Sequence, residues 1–127
     1  MYMRLEVVPM PVSDIDRARN FYVEKIGFNL DFDTSPTEGV RVVQLTPPGS
    51  ACSIVMGTGL GDASKMKPGS IKGLHLVVES VSEIRDVLVK KGVQVSDIVD
   101  YPGGIRSAFF TDPDDNAWEL QEIPPGL

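Results

Sequence analysis

Apolar residues recur along this chain in two rhythms, period two and period 3.6, and the rhythms come twice in the same order. Residues 5–12 set Val8, Met10 and Val12 on one face and Val7, Pro9 and Pro11 on the other. That alternation predicts a strand whose prolines limit its ladder. Ser13 or Asp14 then offers an N-cap oxygen. Ile15, Ala18, Phe21, Tyr22 and Ile26 fall on one face of a helix that Gly27 stops. Three short runs follow as strands, at 28–33, 40–45 and 51–56, with Thr46-Pro47-Pro48-Gly49 as the break between the last two.

Residues 57–73 are rich in Gly, Ser, Lys and Pro and read as a connection. Beyond them the order repeats. Residues 74–78 predict a strand, with Leu74, Leu76 and Val78 inward and Gly73, His75 and Val77 on the other face. Val81, Ile84, Val87, Leu88 and Val89 form a helix face that Gly92 ends. Residues 93–95, 105–111 and 117–123 supply three more strands, and the tail 124–127 is expected to fray. One offset of 66 relates Asp14 to Ser80 (80 − 14) and Pro47 to Pro113 (113 − 47). The chain therefore reads as one α+β domain, 1–127, built by duplication. Module one is 1–57, the connection 58–72 and module two 73–123. A cleft between such halves is a natural ligand site.

Composition narrows the class. At 127 residues the chain is one domain long, and 42% hydrophobic with 24% charged residues is ordinary globular usage. No apolar run approaches the roughly 20 residues of a membrane span, and residues 1–6 lack the apolar stretch of a signal peptide. A single cysteine, Cys52, forms no internal disulfide, so the expected location is cytoplasmic. With a net charge of −6 and no Lys/Arg cluster, neither nucleic acid nor membrane is an expected partner.

Several ordered segments carry a resemblance. They are Pro11-Val12-Ser13-Asp14-Ile15-Asp16-Arg17-Ala18-Arg19-Asn20-Phe21-Tyr22, Lys25-Ile26-Gly27-Phe28, Val78-Glu79-Ser80-Val81, Lys91-Gly92-Val93, and Thr111-Asp112-Pro113-Asp114-Asp115-Asn116-Ala117-Trp118-Glu119-Leu120. Together they resemble the vicinal oxygen chelate superfamily of glyoxalase I, bleomycin resistance proteins and extradiol dioxygenases. The resemblance implies two tandem βαβββ modules forming an open, cup-shaped mixed sheet with helices outside, and a homodimer. It leaves the activity open, because the superfamily holds metal lyases, isomerases, dioxygenases and metal-free drug binders.

The resemblance also implies where a metal would sit: one ligand from the first strand and one from the last strand of each module. Counting back seven residues from Asp14 gives Val7, and from Ser80 gives Gly73. On the last strands the positions are Glu119 and, by the offset, Ser53. Only Glu119 is a strong ligand, whereas a catalytic divalent site takes about three. The expectation is a binder without a metal or other cofactor, sequestering an antibiotic or aromatic metabolite.

Alternation gives the lining. Trp118 and Leu120 face the helices, leaving Ala117, Glu119 and Gln121 toward the cup, and Ser53 and Val55 face it likewise. The resemblance adds Ser107 and Phe109. The candidate ligand-binding residues are thus Val7, Pro9, Ser53, Val55, His75, Val77, Ser107, Phe109, Glu119 and Gln121. His75, the only histidine, has three readings: a ligand contact or acid–base group, a structural hydrogen-bonding residue, or a metal ligand with Glu119. The alternative function is a lyase, isomerase or dioxygenase-like enzyme in which His75 and Glu119 hold one divalent metal or act as an acid–base pair. Cys52 reads as structural, Asp112 to Asp115 as a turn rather than a calcium loop, and Tyr101 to Gly104 as a loop that either covers the cup mouth or simply connects strands.

Overall fold

A computed structural model describes residues 1–125; Gly126 and Leu127, the end of the tail expected to fray, lie outside the described residues. The first repeat forms β1 (Val7–Pro9), α1 (Ile15–Asn20), β2 (Asn29–Thr34), β3 (Arg41–Thr46) and β4 (Ser53–Thr58). The second forms β5 (Leu74–Val77), α2 (Val81–Lys90), β6 (Val99–Asp100), β7 (Arg106–Thr111) and β8 (Ala117–Glu122). The strands build two separately hydrogen-bonded sheets, ordered β1-β4-β3-β2 and β5-β8-β7-β6. In each, the first strand lies parallel to the last and the other pairs are antiparallel. The same order with the same parallel edge is the duplicated βαβββ unit that the hydrophobic pattern predicts.

Both helices start by the same chemistry. The Asp14 carboxylate accepts from the Arg17 N–H at 3.0 Å, and the Ser80 hydroxyl accepts from the Glu83 N–H at 3.2 Å. Each satisfies a donor that the first helical turn leaves free. The helix predicted to run to Ile26 is α-helical only to Asn20 and continues as a π-helix over Phe21–Ile26. Gly27 closes it at φ 90°, and the N–H groups of Gly27 and Phe28 both donate to the Tyr22 carbonyl.

One core joins the modules, which is why two repeats make one domain. Met10, Leu45 and Met56 come from the first, and Leu88, Phe110, Trp118 and Leu120 from the second. Trp118 is its hub, 4% exposed, with its ring centroid 5.7 Å from Phe28, 5.8 Å from Tyr22 and 6.2 Å from Phe110. Such contacts add to the area term. The Tyr22 hydroxyl donates to Asp112 at 2.8 Å and accepts from the Trp118 indole N–H at 2.9 Å. Burial, reinforced by the Asp112 charge, pushes the Tyr22 phenol pKa well above its ordinary value and keeps its proton in place. Asp112 also accepts from the backbone N–H groups of Asp114 and Asn116 and from the Asn116 amide. Asp112 is thus a buried clamp whose acceptors are used internally, at the start of the turn that the sequence predicts.

Two strand expectations need correction. Residues 93–95 form no strand: the Arg85 guanidinium bonds the Val95 and Ser96 carbonyls at 3.3 and 2.7 Å, a single backbone bond joins the Ser96 N–H to the Phe109 carbonyl, and the ladder with β7 is Val99–Ser107 and Asp100–Arg106. The first strand ends at Pro9 rather than at residue 12, since the Pro11 carbonyl is taken by the Asn116 amide and the Gly69 N–H. β4 crosses β3 so closely that a Cβ on Gly57 would lie 1.9 Å from the Arg41 carbonyl oxygen.

Candidate functional site

The sheet registers place the site. β1 pairs Val7 with Ser53 and Pro9 with Val55; β5 pairs His75 with Glu119 and Val77 with Gln121. Ser53 and Glu119 keep the offset of 66 (119 − 53), but the counterpart of Val7 is His75, at 68 (75 − 7). The connection before the helix has five residues in module one, 10–14, and three in module two, 78–80. Counting back from the N-cap therefore misplaced the module-two position on Gly73, which precedes β5. The residue standing there is His75, directly across from Glu119.

Around that rung the side chains converge. His75 Nε2 lies 3.6 Å from Glu119 Oε1, and His75 Nδ1 is 3.0 Å from Gln121 Oε1. The buried Ser107 hydroxyl donates to Glu119 Oε2 at 2.8 Å. Phe109 is Glu119's rung partner on β7. The His75 and Glu119 side chains are 48% and 18% exposed, and Val77 beside them is 68% exposed. Trp118 and Leu120 turn into the core, so the alternation expected of β8 is present. A cavity of about 240 Å³ lies against this face, lined by Gly73, Gln94, Phe109, Thr111, Ala117 and Glu119, among others.

Module one presents a different face. Ser53 is 2.6 Å from the Thr46 hydroxyl, whose proton goes to Asp31; the Gln44 amide donates to the same carboxylate at 3.2 Å. Since Thr46 has one proton and gives it to Asp31, Ser53 donates to Thr46. Sequence reasoning missed Asp31. Strict alternation puts Asp31 and Asp33 on one face, but a register shift between Leu30 and Phe32 separates them. Asp33 bonds Arg19 and Arg41 instead. Pro9 and Val55 line a separate cavity of about 110 Å³ beneath Leu60 and Met66. Ser53 and His75 meet at the crevice between modules, about 230 Å³, which Val8, Cys52, Leu74 and Trp118 also line. Cys52 is half-buried there, its thiol 3.7 Å from the Ser53 carbonyl. Tyr101 to Gly104 join β6 to β7, with the Tyr101 N–H on the Ile105 carbonyl at 2.8 Å.

The donor set can be tested against a divalent metal. Of the four paired positions only His75 and Glu119 can ligate; Val7 cannot, and the Ser53 hydroxyl is engaged with Thr46. Among the described residues no three His, Cys, Asp or Glu side chains converge. This set falls short of the roughly three protein ligands of a catalytic centre.

Known proteins share this fold. The family model of the Glyoxalase/Bleomycin resistance protein/Dioxygenase superfamily matches residues 4–120. Among solved structures, the chain is 33% identical to TnmS3, an antibiotic binding protein from Streptomyces sp. CB03234, with a TM-score of 0.83 over 97% of this chain and 98% of that one. A glyoxalase/bleomycin resistance protein from the same Streptomyces is 36% identical, with a TM-score of 0.77 over 92% and 98%. A superfamily member from Sphaerobacter thermophilus DSM 20745 is 30% identical, with a TM-score of 0.82 over 95% and 98%. No curated protein matches the chain. On the family match and these identities, the chain belongs to the Glyoxalase/Bleomycin resistance protein/Dioxygenase superfamily.

Proposed function

We propose that this chain is a metal-independent, cytoplasmic small-molecule-binding protein that sequesters an antibiotic or aromatic metabolite and works as a homodimer. The observation that carries the reading is the Val7–Ser53 rung: module one supplies no metal ligand where module two supplies His75 and Glu119. The likeness to an antibiotic binding protein supports it. So does the mixed character of the module-two face, where Phe109 and Val77 stand beside Ser107, Glu119 and Gln121. The homodimer is supported by the module-two face, whose cavity is open on the side that a second copy can cover. No helix among the described residues is long and apolar enough to cross a membrane.

Native mass spectrometry of freshly purified protein tests this. The expected result is a dimer without stoichiometric metal that takes up an aromatic antibiotic saturably and releases it unchanged. Conversion of that compound by the protein overturns the reading. One observation favours a second reading, an enzyme: His75 Nε2 and Glu119 Oε1 stand 3.6 Å apart, the disposition of an acid–base pair. Product formation that Glu119→Gln abolishes supports the enzyme.

A further inference from the structure

The rung between His75 and Glu119 has a proton deficit. Nδ1 of His75 lies 3.0 Å from the Gln121 side-chain oxygen, and with that oxygen as acceptor Nδ1 is the ring's donor. In the neutral ring Nε2 is then a bare lone pair. It faces Glu119 Oε1, a second acceptor, at 3.6 Å, beyond hydrogen-bond length. Ser107 is committed to the other carboxylate oxygen, Oε2. The one basic residue of β5, β7 and β8, Arg106, is paired with Asp100 at 2.8 Å. With Nδ1 as the ring's donor, Nε2 and Oε1 face each other as two acceptors, and among the described residues neither has a side-chain donor within hydrogen-bond length.

The gap sets what fills it. One nitrogen about 2.9 Å from each acceptor spans that separation and supplies a proton to both. A hydroxyl supplies only one, and a carboxylate supplies none and meets the Glu119 charge. Phe109, across the rung from Glu119, and the exposed Val77 give apolar area for the body of the molecule. We propose that the His75–Glu119 rung selects a small molecule that carries a primary amine on an apolar aromatic body. This rests on the binding function proposed above and names the ligand class for the same face.

The test uses the full chain in mildly alkaline buffer, with naphthylmethylamine, naphthylmethanol and naphthoate as probes. His75 is the sole histidine, so long-range proton–nitrogen spectra of the imidazole report this site alone. The expected free protein shows Nδ1 protonated and Nε2 bare. Naphthylmethylamine shifts Nε2 and binds about tenfold more tightly than naphthylmethanol, with naphthoate weakest. In Glu119→Gln the new amide donates to Nε2 itself and the carboxylate charge is gone, so the amine loses its advantage over naphthylmethanol. A free protein protonated at Nε2, or equal affinity for amine and alcohol, overturns the proposal. Equal binding of all three probes overturns only the amine selection and leaves the binding function standing. No binding by any probe counts against both.

Discussion

The two modules have the same strand order and the same helix start, yet they set different polar chemistry on their open faces. Module one keeps one carboxylate, Asp31, on the Ser53 face, where Thr46 and Gln44 donate to it, and pairs its other charges elsewhere, with Asp33 between Arg19 and Arg41, and Arg41 also on Asp16. Module two gathers His75, Glu119, Gln121 and Ser107 on the open face and buries Asp112 beneath the core. At equivalent rungs, Val7–Ser53 stands against His75–Glu119. Backbone pairing holds the repeat regardless of side chain, so the side chains diverged where the ladder tolerates them. The two faces therefore differ in kind: Ser53, Thr46 and Asp31 bond to one another, whereas His75 and Glu119 face each other beyond hydrogen-bond length.

The sharpest way to break the equivalence is at Trp118 and its counterpart at offset 66, Cys52 (118 − 52). Both line the inter-module crevice, but only Trp118 packs on Tyr22, Phe28 and Phe110. Trp118→Ala is expected to cost about 3–5 kcal/mol, and Cys52→Ala less than about 1 kcal/mol, by chemical denaturation. Similar losses at both positions would mean that the core is shared more evenly than the ring contacts imply.

Asp112 comes next. Its four acceptor contacts tie the acidic turn to Tyr22 of module one. Asp112→Asn turns an acceptor into a donor facing donors, at a cost of about 2–3 kcal/mol. Tyr22→Phe added to Asp112→Asn should cost less than it does alone, because both changes break one hydrogen bond. Strict additivity would show that Tyr22 and Asp112 do not act as a pair.

How much of this was legible follows the range of each interaction. Alternation placed Trp118, Leu120, Glu119 and Gln121 correctly, because facing within a strand depends only on neighbours. The N-caps Asp14 and Ser80 were equally readable. The rung holding His75 was not, since a two-residue difference in connection length is invisible until the strands pair. Asp31 was hidden by a bulge, which is a property of two strands rather than one. The run Val93-Gln94-Val95 looked like a strand, but the Arg85 side chain takes the carbonyls at its end, those of Val95 and Ser96. The bond between Tyr22 and Asp112, residues far apart in the chain, has no local signature at all.

A third comparison sets Gly57 against its counterpart Ile123 (123 − 57). Gly57→Ala must push β4 off the Arg41 carbonyl, at about 1–3 kcal/mol. Ile123 is exposed, and Ile123→Ala should change stability by less than about 0.5 kcal/mol. The difference in melting temperature between the two variants reads the contrast directly.

The smallest expected effect lies in the charges of module one. Asp33 accepts from Arg41 at 2.8 and 3.0 Å and from Arg19 at 2.6 Å. The Arg41 hydrogen bonds, with help from Arg19, hold its carboxyl down to about 2, below the ordinary 3.8. Between these values the unfolded chain binds a proton that the folded chain does not, so stability rises with pH there. The contribution is present in full above about 4 and is lost as pH falls from there through about 2. Asp33→Asn should therefore flatten the acid limb of a stability–pH curve and cost about 1 kcal/mol at neutral pH. Asp100→Asn removes the solvent-exposed pair with Arg106 in module two and should cost less at neutral pH. An unchanged acid limb in Asp33→Asn would show that the ionic lattice stores no stability, and that the modules differ in where their charges lie but not in what those charges do.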